Sequence, residues 1–239
     1  MDSLWINSTE NKMNFNPIDS NKTCDICIIG AGITGLSAGY YLSKKGLSVI
    51  ILDKTDIGTK TSGNTTGKIT YQHNLIYNYL INSHSKKFAK GYLDANKEAI
   101  SSIKKIIDEE QLDCDYEEQS NYIYTTKQED LPKIHEEIEA LHLIGEDIEF
   151  LTKSPLPFKI AGALENKNQA QINLSKYMLG LANCIQKYGG KIYTNSLVTD
   201  VKNENNEYIT FANNYEIKSK YVVLASHYPF INFPRILLF

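Results

Sequence analysis

Residues 24–53 read CDICIIGAGITGLSAGYYLSKKGLSVIILD and restrict the fold more than any other stretch of the chain. The apolar run before Gly30 does not alternate with polar residues, which is the pattern of a strand buried on both faces, and such strands belong to parallel sheets. Glycines 30, 32 and 35 follow, then a helix-like segment over 33–45, then a second apolar run over 47–53 that ends at Asp53. A strand, a crossover helix and a second strand in so short a span predict a parallel βαβ unit, and with it an α/β fold rather than a helical bundle or an all-antiparallel sheet.

Gly30, Gly32 and Gly35 are spaced as G-x-G-x-x-G between a strand and a helix. In that setting the first glycine permits the tight turn, the second lets a pyrophosphate approach the backbone, and the third lets helix and strand pack closely. The unpaired N–H groups at the helix start, around Ile33 and Thr34, then face an anion. Asp53, at the end of the second strand and followed by Lys54, is placed to accept hydrogen bonds from the ribose hydroxyls of an adenosine. The competing reading, a glycine-rich turn that binds nothing, is weakened by the position of that acid.

The remainder is less constrained. Residues 1–22 read as a polar leader pinned by Trp5, and 54–68, KTDIGTKTSGNTTGK, as a long Gly/Thr/Ser loop of the kind that carries function. Helices are expected over 69–83, 86–110, 129–143 and 174–188, the last ending at Gly189–Gly190. In the second, Phe88, Tyr92, Ala95, Ala99, Ile103 and Ile106 recur at helical spacing and mark a core face. Strands are expected over 121–126, 147–152 and 158–164, then as KIYTNSLVTDV, YITFANNYEIKS and KYVVLAS, the middle one a hairpin about Asn213–Asn214. The acidic clusters Glu109–Glu110 and Glu136–Glu137–Glu139 read as solvated faces.

Composition narrows the partners. A net charge of −3 with no basic patch argues against nucleic acid and for a small-molecule substrate. No apolar stretch reaches the roughly 18–20 residues that span a bilayer, and the first residues lack the pattern of a secretory signal, so no membrane is expected and the expected location is the cytoplasm. Cys24, Cys27, Cys114 and Cys184 are too scattered for a disulfide framework, and Cys24-x-x-Cys27 lacks the second pair that a zinc site needs, so no metal is expected.

The glycine pattern continues to Gly39 and Gly46, an extended spacing that resembles the glutathione-reductase-like class of FAD-binding proteins. SKYVVLAS resembles that class's late strand, with His227 where a glycine is usual. GKIYTNSLVTDV, the following hairpin, KYVVLAS and the loop GTKTSGNTTGKITYQH are together similar to the D-amino-acid-oxidase and glycine-oxidase superfamily, and DSLW with IDEEQLDCDYEEQSNYIYTT resembles a bacterial subgroup of it that often carries a Rieske domain after the flavoprotein part. Asn173–Leu174 departs from a histidine–proline pair frequent there. The resemblance implies FAD, held by Thr61, Ser62, Thr66, Gly67 and Lys68 of the loop and by the backbone of Val198 at the adenine, with Lys68 and His73 candidates for tuning the flavin.

The expected architecture is therefore a glutathione-reductase-like FAD/NAD-binding Rossmann domain with inserted helices and a partial mixed-sheet substrate domain. The nucleotide-binding part is expected over 23–85 and 165–233, a helical cap and partial substrate region over 86–164, and an atypical tail over 234–239. The implied activity is FAD-dependent oxidation of a small amine or amino acid, with no catalytic acid or base and no electron acceptor identified. An NAD-dependent reductase and a remnant that binds FAD weakly are the alternatives. The resemblance also implies a longer chain, and the single arginine, Arg235, beside the apolar end Ile236–Phe239 raises the expectation that residues from about Pro234 onward are read in a shifted frame.

Overall fold

The computed structural model describes residues 3–8 and 14–227. Its elements in chain order are α1 (Leu4–Asn7), β1 (Lys22–Ile29), α2 (Ile33–Lys44), β2 (Val49–Leu52), β3 (Lys68–Ile69), α3 (Ile76–Ser83), α4 (Lys86–Glu110), β4 (Glu117–Thr125), α5 (Leu131–Leu143), β5 (Phe150–Leu151), β6 (Gly162–Gln171), α6 (Leu174–Lys187), β7 (Lys191–Tyr193), β8 (Val198–Glu204), β9 (Glu207–Ala212) and β10 (Tyr215–Leu224). They form two compact units, one of residues 1–66, 112–114 and 173–239, the other of 67–111 and 115–172. No helix among the described residues is long and apolar enough to cross a membrane.

The first unit is built on a six-stranded sheet in the order β7-β2-β1-β10-β9-β8. β7, β2, β1 and β10 run parallel, with Cys27 opposite Ile50 on one side and Val222 on the other, while β9 and β8 are antiparallel. This is the βαβ unit expected from 24–53, and β2 with the second half of β1, Ile26–Ile29, is buried on both faces. On one face α2 packs against β2 and α6, and Gly39 permits the approach: a Cβ there would lie 2.6 Å from Ile51 Cδ1 and 3.2 Å from Ile185 Cδ1. On the other, Ile18 joins Cys24, Cys27, Ile29, Ile50, Leu52 and Ile217 in an apolar cluster. Burial pushes the Cys24 and Cys27 thiols up to about 11 and about 12, so neither is a ready thiolate.

Several boundaries differ from the sequence reading. KIYTNSLVTDV is two strands, β7 and β8, and β8 and β9 meet in a turn at Asn205 and Asn206, both left-handed (φ +52° and +64°), a second hairpin beside the expected one at Asn213. YEIKS and KYVVL are one continuous strand, because Ser219 is buried and pairs with Cys24 and Tyr208 rather than breaking the ladder. Asn173, at the noted departure from the histidine–proline pair, caps α6 by accepting from the Lys176 N–H at 3.2 Å. The tail from Pro234 lies outside the described residues.

In the second unit β6 pairs antiparallel with β3, β4 and β5, and α3, α4 and α5 supply a core around Tyr77, Leu93, Leu141 and Leu164. This pairing draws residues 67–85 and 165–172 into the second unit, although the sequence reading grouped them with the nucleotide-binding part. The helix expected from 69 starts only at Ile76, since Lys68 and Ile69 pair with Gln171 and Ala170. In α4 the buried face is Ala89, Leu93, Ile106 and Ile107; Phe88, Ala95 and Ala99 are exposed, so the true face is rotated by about one residue from the expected stripe.

Glu137 corrects another expectation. It is fully buried, and from α5 it caps the start of α3: Oε1 accepts from the Tyr77 N–H (2.9 Å) and Gln72 Nε2 (2.7 Å), Oε2 from the Asn78 N–H (2.9 Å). The two backbone groups are donors that a helix N-terminus leaves without an intrahelical partner. Glu137→Ala should leave the Tyr77 and Asn78 N–H groups and one N–H of the Gln72 amide, whose nitrogen also donates to Asn74 O, without their acceptor. At about 1–3 kcal/mol for each unsatisfied group, a loss of about 3 kcal/mol or more is expected in urea unfolding; a loss below about 1 kcal/mol would show that the cap is dispensable.

Candidate functional site

The site grows from the carboxyl ends of β1, β2 and β10. The Gly30 N–H donates to Leu52 O (2.8 Å) and the Ala225 N–H to Ile29 O (2.9 Å), so the three chains stay bound together to their last residues. There the backbone turns: Gly30 has φ +114°, and a Cβ on it would stand 2.7 Å from Ala225 O. Gly35, one turn into α2, lies over Gly30, where a Cβ would be 1.9 Å from Gly30 O. Gly32 precedes α2 in extended conformation and has no side chain of its own to cap the first-turn N–H groups.

Above this junction is a cavity of about 700 Å3. Its floor is Gly30, Ala31, Gly32, Ile33 and Thr34; one wall is Asp53 with the loop that follows it, and the other is Ser196–Val198 with Ala225–His227. The loop is held from α1, where Trp5 Nε1 donates to Thr65 O (2.7 Å), and from the residue before it, where Ser3 Oγ donates to Gly63 O, so Trp5 ties residues 3–8 to this loop. From this loop Ser62 Oγ accepts from the Ile33 N–H at 3.2 Å, a hydroxyl oxygen at the helix start. The second strand pair is tied in by Thr194 Oγ1 donating to Phe15 O and by the Ile18 N–H donating to Ser196 Oγ, both at 2.8 Å.

Asp53 has a structural part that the sequence did not disclose. Oδ2 accepts from the Ala31 N–H (2.7 Å), and Oδ1 from the Thr55 N–H (2.8 Å) and Thr55 Oγ1 (3.1 Å). A carboxylate has about four lone-pair positions, so one is left, on Oδ2, for a ligand hydroxyl. Asp53→Ala should cost about 1.5–3 kcal/mol of stability, because charged hydrogen bonds to two backbone groups go with it. Urea unfolding without ligand measures this, and an unchanged midpoint would confine Asp53 to ligand binding.

Of the residues expected from sequence, Gly30, Gly32, Ile33, Thr34, Asp53, Lys54, Thr61, Ser62 and Val198 line this one cavity. Gly35 supports it from beneath. Thr66 belongs to the same unit but does not line it, and Gly67 and Lys68 belong to the second unit, where Lys68 pairs with Gln171. His73 is also in the second unit, exposed, with its ring 6.4 Å from Tyr92. Sequence reasoning missed Ala31, Thr55, Asp56 and Ser196 as lining residues; the length of the loop after Asp53 was the available signal for two of them. His227, the departure at the late strand, lines the cavity. Among the described residues no group of three His, Cys, Asp or Glu is placed to hold a metal.

Comparison with known proteins agrees with this geometry. A Bacillus subtilis (strain 168) protein named for a Rieske 2Fe-2S iron–sulfur centre, YhfW, is 34% identical over 229 residues, which is 96% of this chain and 45% of that protein. Gamma-glutamylputrescine oxidoreductase of Escherichia coli (strain K12) is 25% identical over 219 residues, 89% of this chain and 51% of that one. The structure of glycine oxidase from Geobacillus kaustophilus superposes with a TM-score of 0.68 at 19% identity, covering 86% of this chain and 56% of that one, a likeness of fold. The chain thus spans about half the length of the curated relatives it matches. The family model described as DAO, FAD dependent oxidoreductase, matches residues 25–230. With nearly the whole chain matched, and the glycine junction at the start of that match, the chain belongs to the DAO family of FAD-dependent oxidoreductases.

Proposed function

We propose that this chain binds FAD in the cavity above Gly30–Gly35 and forms part of an oxidoreductase that acts on a small amine or amino acid. The observation that carries the reading is the cradle itself: backbone N–H groups at the start of α2, an opening at Gly32 that a side chain would fill, and an acid at the end of β2, all on one cavity. These residues fit an adenine dinucleotide. Gly32 leaves the backbone open to a pyrophosphate, the α2 start faces its charge, and the free position on Asp53 Oδ2 faces a ribose hydroxyl. Val198, at the start of β8, offers its backbone to the adenine edge. The loop carrying Lys54, Lys60 and Ser62 supplies cations and a hydroxyl to the same anion.

Bound FAD would supply the redox chemistry, accepting a hydride from the C–H bond of a carbon attached to nitrogen or oxygen so that an imine or carbonyl is left, and the protein supplies position and electrostatics. The substrate class rests on the relatives, among which are a gamma-glutamylputrescine oxidoreductase and a glycine oxidase. The test is a visible spectrum. Chain incubated with FAD and then gel-filtered should keep a flavin absorption that excess NAD does not remove. Loss of the flavin to NAD would favour the nicotinamide reading, and a small amine or amino acid that fails to bleach the retained flavin anaerobically would remove the substrate assignment.

A further inference from the structure

We propose that the second unit carries a separate binding site for a small aliphatic diamine, in a cavity at the uncovered edge of β6. β4 flanks β6 on one side, but on the other β5 pairs only as far as Ala163 and Leu164, and β3 only with Ala170 and Gln171. Residues 165–169 therefore have an open flank. Within it the register steps from Gln119–Gln169 to Asn121–Asn166, leaving Lys167 and Asn168 bulged, with Asn168 left-handed at φ +57°. Over this flank, closed by α4 and the segment 146–149, is a cavity of about 440 Å3.

Tyr71 is the observation that points to a ligand. It lines the cavity and is only 5% exposed, yet its hydroxyl has no hydrogen-bond partner among the described residues and is not among their sealed-off polar atoms, so it opens on the cavity. A buried phenol normally finds a partner.

The charge around it selects the ligand. Lys97 lies over the Tyr71 ring at 5.3 Å and pairs with Glu146, so those two charges answer each other. Glu165 accepts from the Tyr122 hydroxyl at 2.9 Å, and hydrogen bonds from Ser120 and Tyr122 hold its carboxyl below the usual range, so it is ionised. Asp147 and Glu149 stand at the rim, and among the described residues that line the cavity Lys167 is the one cation left to answer three carboxylates. A cleft lined by one sign of charge concentrates the opposite ion. Ile100 and Ile148 give the same cavity an apolar surface, which suits a methylene chain between two ammonium groups. One ammonium would donate to the Tyr71 oxygen and Glu165, the other to the rim carboxylates.

This inference is independent of the FAD reading and is tested without FAD, by calorimetric titration of the whole chain with 1,5-diaminopentane at low salt. Saturable binding is expected, with none for 1,5-pentanediol or glutarate. Affinity should fall at least about tenfold in Tyr71→Phe, and likewise in the exposed double variant Asp147→Asn/Glu149→Gln, which leaves the core untouched should Tyr71→Phe fail to fold. Absence of saturable binding, equal binding of the diol or glutarate, or parental affinity in the variants would overturn the proposal.

Discussion

Gly35→Ala should unfold the first unit or bring it close to unfolding, although it adds a single methyl group. That methyl would sit 1.9 Å from Gly30 O, 3.0 Å from Gly30 C and 3.3 Å from Ala225 Cβ. Two of these atoms are backbone and the third is an alanine Cβ, so no rotamer change relieves them. Either α2 lifts from β1 or the Gly30 turn moves, and that turn is fixed by the Leu52 carbonyl and by its own left-handed φ. Overpacking of a core typically costs about 1–3 kcal/mol, and a backbone clash belongs at or above the upper end. Against a total stability of about 5–15 kcal/mol this is a large share. The control is Gly91→Ala in α4, where nothing stands within 4 Å of the added Cβ; there the helix should gain about 0.5–1 kcal/mol. Circular dichroism melts of the two variants, run beside the parent, should move in opposite directions. Equal and small shifts would mean that Gly35 is not needed for packing.

Gly32→Val should have the reverse profile, leaving the fold intact and removing FAD. Gly32 is in ordinary extended conformation (φ −80°, ψ −177°), which any residue adopts, so a side chain brings no backbone strain. Its nearest neighbour would be Ser62 Oγ at 3.2 Å, a side chain able to yield. The branched group would project into the cavity at the start of α2, where the pyrophosphate must approach the backbone. An affinity loss of roughly 100-fold or more, about 2.7 kcal/mol, is expected, with a melting temperature close to the parent's. FAD affinity unchanged in this variant would detach the cavity from the cofactor. The two glycines, three residues apart, thus separate two roles, one steric toward the protein and one toward the ligand.

The sequence disclosed most where a steric rule leaves one solution. Gly30, Gly32 and Gly35 between two non-alternating apolar runs determine strand, turn, helix and parallel strand, and Asp53 marks where the second strand ends. β6 was harder to read, because GALENKNQAQ buries Asn166 and Gln169 beside the bulged Lys167 and Asn168 and so shows neither an apolar run nor alternation. Glu137 was hidden in an acidic run on a helix. A periodicity argument treats each charge there as solvated, whereas one of them meets the start of another helix far away in sequence. Asp53 was legible as an acid facing a ribose but not as an acceptor for Ala31 and Thr55, since these bonds depend on how the loop returns over the turn. Thr66, Gly67 and Lys68 were placed by position along a resembling loop, and the chain has already left the cavity at Thr66.

In the function we propose, FAD is held through the dinucleotide cradle of the first unit rather than through the flavin ring alone. Calorimetric titration with FAD and with FMN, repeated in the presence of saturating ADP, tests it most directly. FMN shares the flavin and lacks the adenosine and the pyrophosphate link. Saturable FAD binding that ADP displaces is expected, with FMN weaker by at least about 100-fold. FMN binding as tightly as FAD, or FAD binding untouched by ADP, would contradict it.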